Sequence, residues 1–97
     1  MKRILVVDDE PLIRDNLKRI LKEENYDIST AADGKSALSL LKETDVDVVL
    51  LDLNLPDMNG IDVLKHAKEL DPDLLVIVIT GYASVESAVD TLKLGAY

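Results

Sequence analysis

Hydrophobic residues fall along this chain in two alternating patterns. Dense apolar runs rich in Val, Leu and Ile occur at Ile4–Val7, Val46–Leu51 and Leu74–Ile79. They are too short for helices and predict strands buried on both faces, as in a parallel sheet. A weaker run, Asp27–Ala31, predicts an edge strand. Between the runs the apolar spacing becomes helical. Ile13, Leu17, Ile20 and Leu21 form one stripe, with Arg14, Lys18 and Lys22 on the other face and Pro11 suited to the first turn. A second helix is predicted from about Lys35 to Glu43, with Ala37, Leu38, Leu40 and Leu41 apolar and Asp33 as its cap. A third runs from about Ile61 to Leu70, after the turn Pro56-Asp57-Met58-Asn59-Gly60 and before Asp71-Pro72. A fourth begins near Ser84 and stops at Gly95. The order β-α-β-α-β-α-β-α implies an open α/β sheet with right-handed crossovers.

Composition narrows this picture. The 97 residues suit one small domain, and no repeat, low-complexity tract or linker divides them. With no Trp, no Phe and three Tyr, the core is aliphatic. A net charge of −8 argues against nucleic-acid binding by this domain, because a phosphate backbone requires a basic face. The absence of cysteine excludes a disulfide framework, a thiolate metal site and a cysteine nucleophile, and agrees with a cytoplasmic location. The apolar start is too short for a signal peptide, ending at Asp8, and no stretch approaches the length of a membrane span.

In open parallel sheets, ligands bind beyond the carboxyl ends of the strands. The first strand ends in Asp8-Asp9-Glu10, the third in Asp52 and the fourth in Thr80-Gly81. If the first and third strands are neighbours, Asp8, Asp9 and Asp52 share one crevice. Their mutual repulsion calls for a divalent cation, and an oxygen-only ligand set points to magnesium. Such a site makes a carboxylate nucleophile for phosphoryl transfer chemically reasonable, with the Thr80 hydroxyl on the far rim. Each residue also has an ordinary structural reading. Asp9 is a candidate helix cap, Asp52 a strand-end turn residue and Thr80-Gly81 a strand exit. Pro56 and Gly60 mark a tight turn, and His66 sits on a solvated helix face between Lys65 and Lys68. The convergence of strand ends is what favours the chemical reading.

The segments ILVVDDEP, VVLLDLNLPDMNG and VIVITGYAS, in this order and spacing, resemble the receiver domain of two-component response regulators. The resemblance covers the whole chain. It implies a flavodoxin-like fold with strand order 2-1-3-4-5, phosphorylation of Asp52 and magnesium held by the side chains of Asp9 and Asp52 and the carbonyl of Asn54. It also implies a contact of Asp8 through water and a switch role for Thr80. The phosphodonor would be a phosphohistidine on a sensor kinase, and catalysis would extend no further than the domain's own phosphorylation and dephosphorylation. The last segment is similar to receivers of sigma-54-dependent transcription activators, which implies a transcriptional output.

Receivers continue into a fifth strand and helix, with a switch aromatic and a lysine that pairs with the phosphoryl group. The present sequence stops before them, and Tyr97 does not inherit the aromatic's role. A receiver incomplete at its C-terminus would leave an unpaired apolar edge on the fourth strand and an apolar patch beside the first helix. The expected consequences are self-association through that edge and impaired switching. The competing readings are a flavin binder, an Asp-nucleophile phosphohydrolase, a calcium loop and a structural pairing module. The first lacks a phosphate-cradling loop, and the second has Asn54 where its general acid belongs. In the third, Pro56 and Asp57 stand in the wrong positions.

Overall fold

The computed structural model describes residues 2–79. Its elements are β1 (Arg3–Val7), α1 (Pro11–Glu23), β2 (Asp27–Ala31), α2 (Gly34–Glu43), β3 (Val48–Leu51), α3 (Gly60–Leu70) and β4 (Leu75–Val78). All strand pairs are parallel, in the order β2-β1-β3-β4. The predicted flavodoxin-like order of these four strands is therefore the observed one. The predicted fourth helix from Ser84 to Gly95, together with Thr80 and Tyr97, lies outside the described residues.

Alternation along the central strands divides the core into two layers. Leu5, Val7, Val49, Leu51 and Val76 belong to the main core, with Ala37 of α2 and Val63, Leu64 and Ala67 of α3. On the opposite face, Ile4, Val48, Leu50 and Ile77 join Leu21 of α1 around an open apolar cavity of about 620 Å³. Among the described residues, β4 pairs with β3 alone.

Local chemistry sets the element ends. Asp33 caps α2 by accepting from the Ser36 amide at 2.8 Å, and Asn59 accepts from the Ile61 amide at 2.9 Å to start α3. At the end of α1, Asn25 adopts a left-handed φ of 65°. There the amides of Asn25 and Tyr26 donate to the carbonyls of Lys22 and Leu21, a Schellman closure. β3 is two residues shorter than its apolar run. Val46 is buried, but Asp47 already binds β1 at both ends: its amide donates to the Arg3 carbonyl and its carboxylate accepts from the Arg3 amide. Val46 is thus a core residue in a connection.

Candidate functional site

The last ladder bonds of β1 and β3 place their aspartates side by side. The Asp8 amide donates to the Ala31 carbonyl at 3.1 Å, and the Asp52 amide to the Val7 carbonyl at 2.9 Å. Beyond these bonds, one carboxylate oxygen each from Asp8, Asp9 and Asp52 lies within 4.8 Å of the others. Asp8 is 3% exposed, Asp52 half-buried and Asp9 exposed. The crevice predicted from the strand ends is present.

The aspartates are held differently. Asp8 accepts from the Glu10 amide at 2.9 Å, which turns the chain sharply toward α1. Burial pushes the Asp8 carboxyl above its ordinary pKa. The neighbouring charges of Asp52 and Asp9 add to the rise, while the Glu10 amide and Arg14 oppose it. Asp9 is not the helix cap. That position belongs to Glu10, whose side chain makes no capping bond, so the Asp9 carboxylate is not committed to the helix end. Asp52 does serve a turn, since its Oδ1 accepts from the Asn54 amide at 3.0 Å.

The loop after β3 is closed on itself. Asn54 and Asn59 form an antiparallel bridge, and the Gly60 amide donates to the Leu53 carbonyl at 3.0 Å. A Cβ on Gly60 would collide with the backbone of Leu53 and Asp52, so this loop closes only with glycine there. His66 is exposed, with Glu69 3.7 Å away, as expected of a solvated face.

Two residues have roles that the sequence reading did not assign. Arg14, placed by periodicity on the polar face of α1, instead reaches back to the rim. Its Nη1 donates to the Asp8 carbonyl at 2.8 Å. Helical side chains incline toward the N-terminus, which brings a long guanidinium near the preceding loop. Asp57, read only as part of a tight turn, binds two backbone amides at the start of α2. Asn59 before an apolar run carried a legible cap signal, whereas nothing local marks Asp57.

Three oxygen donors at this separation, one of them buried and resisting ionisation, fit a hard divalent cation that would relieve their repulsion. Among the described residues no helix is long and apolar enough to cross a membrane.

Comparison with known proteins agrees with this geometry. The family model described as the response regulator receiver domain matches residues 4–97. Transcriptional regulatory protein ZraR of Escherichia coli strain K12 is 41% identical over 93 residues, which are 96% of this chain and 21% of ZraR. The chain spans between 21% and 39% of the lengths of several such curated regulators. A CheY-like response regulator receiver domain protein from Methanospirillum hungatei JF-1 superposes with a TM-score of 0.97 at 41% identity. That match covers 99% of this chain and 77% of the other. The response regulator TrrA of Thermotoga maritima, solved in complex with Mg²⁺-BeF, superposes with a TM-score of 0.90 at 39% identity. It covers 100% of this chain and 84% of TrrA.

Proposed function

The chain belongs to the family of response regulator receiver domains, and from that premise we propose that Asp52 accepts a phosphoryl group from the phosphohistidine of a sensor kinase. The observation that carries this reading is the meeting of the Asp8, Asp9 and Asp52 carboxylates at the ends of β1 and β3. Oδ1 of Asp52 is engaged by the Asn54 amide, which leaves Oδ2 as the attacking atom. A bond forms from Oδ2 to phosphorus as the phosphorus–nitrogen bond breaks, and the departing imidazole takes up a proton. Asp52 becomes an acyl phosphate, and hydrolysis returns it to the carboxylate.

Magnesium is the cation of choice; the side chains of Asp9 and Asp52 and the carbonyl of Asn54 would hold it, and Asp8 would contact it through water. When bound it would offset the negative charge that otherwise opposes attack. The Mg²⁺-BeF complex of TrrA supports the choice. Thr80, at the end of the fourth apolar run, would hydrogen-bond the transferred group. A transcriptional output is supported by the likeness to ZraR. A cytoplasmic kinase partner fits the same reading.

Mass spectrometry after treatment with acetyl phosphate and magnesium tests the assignment. One added phosphoryl group on the wild type, absent from Asp52→Ala, is expected. Labelling that persists in Asp52→Ala would refute it.

A second reading is favoured by β4, which pairs only with β3 among the described residues and carries the exposed Leu75. This edge would join two copies of the chain. Sedimentation showing a monomer at every concentration would exclude it.

A further inference from the structure

The first amides of a helix have no partner within it. In α2, Asp33 supplies an acceptor for the Ser36 amide only. The two amides before it are bound from a distant part of the chain. Asp57 Oδ1 accepts from the Gly34 amide at 2.8 Å, and Oδ2 accepts from the Lys35 amide at 3.0 Å. One carboxylate thus spans both donors, at the positive end of the helix dipole. These bonds hold the Asp57 carboxyl below its ordinary pKa: the Gly34 amide contributes most, and the Lys35 amide and ammonium add to it against partial desolvation.

The neighbouring residue reinforces the link. Met58 packs against the core cluster and lies so close to Gly34 that a Cβ there would overlap its thioether. The tip of the β3–α3 loop is therefore seated on α2 by a pair of hydrogen bonds to one carboxylate and by one apolar contact. The base of the same loop is closed by the Asn54–Asn59 bridge and the Gly60 bond. Asn54, next to the base, donates its amide to Asp52. A displacement at the tip has little slack to absorb it before it reaches Asn54 and Asp52.

We infer that Asp57 is a positioning residue for the acidic site, clamping the β3–α3 loop onto α2 so that Asn54 and Asp52 are presented to the metal. This rests on the proposed magnesium site. By linkage the coupling runs both ways: a cation bound at the strand ends steadies the first turn of α2. The partner of the clamp is backbone, so α2 contributes geometry rather than a side chain.

The test compares Asp57→Ala with Asp33→Ala in the full chain. Both remove a cap from the same helix, but only the first releases the loop. Magnesium affinity is read from the amide shifts of Asn54 during titration. Asp57→Ala is expected to weaken magnesium binding about tenfold, in line with supporting residues around metal ligands. Asp33→Ala should leave it unchanged, and Asp57→Asn, which keeps one acceptor, should fall between. In the wild type, magnesium should slow hydrogen exchange of the Gly34 and Lys35 amides, an effect lost in Asp57→Ala. Unchanged affinity in Asp57→Ala, or equal weakening in Asp33→Ala, would overturn the clamp. A wild type that binds no magnesium would defeat the metal reading instead. The clamp is then decided without metal, by whether Asn54 and Gly60 amides exchange faster in Asp57→Ala than in Asp33→Ala. Equal rates would overturn it.

Discussion

The two faces of the sheet are built to different standards. On the α2–α3 face, Leu5, Val7, Leu51, Leu64, Val76 and Ala37 are fully enclosed, and Val49 and Val63 nearly so. On the α1 face, Ile4 and Val6 of the central strand are buried, but no residue of α1 is; Ile20 is 52% exposed, and Val48, Leu50 and Ile77 are only partly covered. The acidic site straddles this divide. Its β3 rim is tied to the dense face through Asp57 and Gly34, while its β1 rim is tied to the open face through Arg14 and the Asp8 carbonyl. Among the described residues, the helices of one face are enclosed and the helix of the other is not, and the site is anchored to both.

The largest expected effect tests the dense face directly. Leu64→Ala removes a side chain with no exposure from a packed layer and should cost about 3 kcal/mol, transfer and cavity together. Urea unfolding measures this. A cost near that of a surface substitution would mean that the two faces do not differ.

Next comes the point where the β3 rim joins the dense face. Gly60→Ala drives a Cβ into the backbone of Leu53 and Asp52, which cannot rotate away, and should cost about 2 kcal/mol. Gly34→Ala meets side chains only, Met58 at its Cγ and Sδ and a methyl of Val63; because the flexible Met58 can shift where backbone cannot, it should cost less. The reverse order in melting experiments would show that the seat on α2, not the loop base, is the rigid element.

At the boundary between the faces, Asp8→Asn should stabilise the metal-free protein by about 1 kcal/mol, because it removes a buried charge crowded by Asp52 and Asp9. The sign follows from the raised pKa. Above the folded value the charged carboxylate is strained only in the folded state. Below the ordinary pKa of an aspartate both states are neutral and the strain vanishes. The gain should therefore be full at neutral pH, fall away as pH drops through this window, and shrink when magnesium is added. Melts across pH for both proteins check it.

The sequence made the elements readable where burial and hydrogen bonding coincide. Asp27–Ala31 was predicted with its observed ends, and Asp33 with its capping role. They diverge at Val46 and Leu74, which are buried yet lie outside the ladder, so apolar runs overestimate strand length. The aspartates were found because strand order turns strand ends into a shared place. Arg14 and Asp57 were not, because both bind backbone groups, which carry no residue-type signature. Asp57 reaches Gly34 across 23 residues, and only the folded topology brings them together.

The smallest expected effect bears on the open face. Ile20 lies on α1, half in solvent, so Ile20→Ala should change stability by less than about 0.5 kcal/mol. Ile20→Lys should behave alike, since a lysine stem covers similar surface while its charge stays in water. A loss several times larger would mean that something covers this face in solution. Melting at two protein concentrations then separates the causes. If a second copy supplies the cover, the wild type melts higher at the higher concentration and Ile20→Lys loses that dependence. If cover comes from within the chain, both proteins melt independently of concentration and the loss remains. The contrast between the two faces would then belong to residues 2–79 alone.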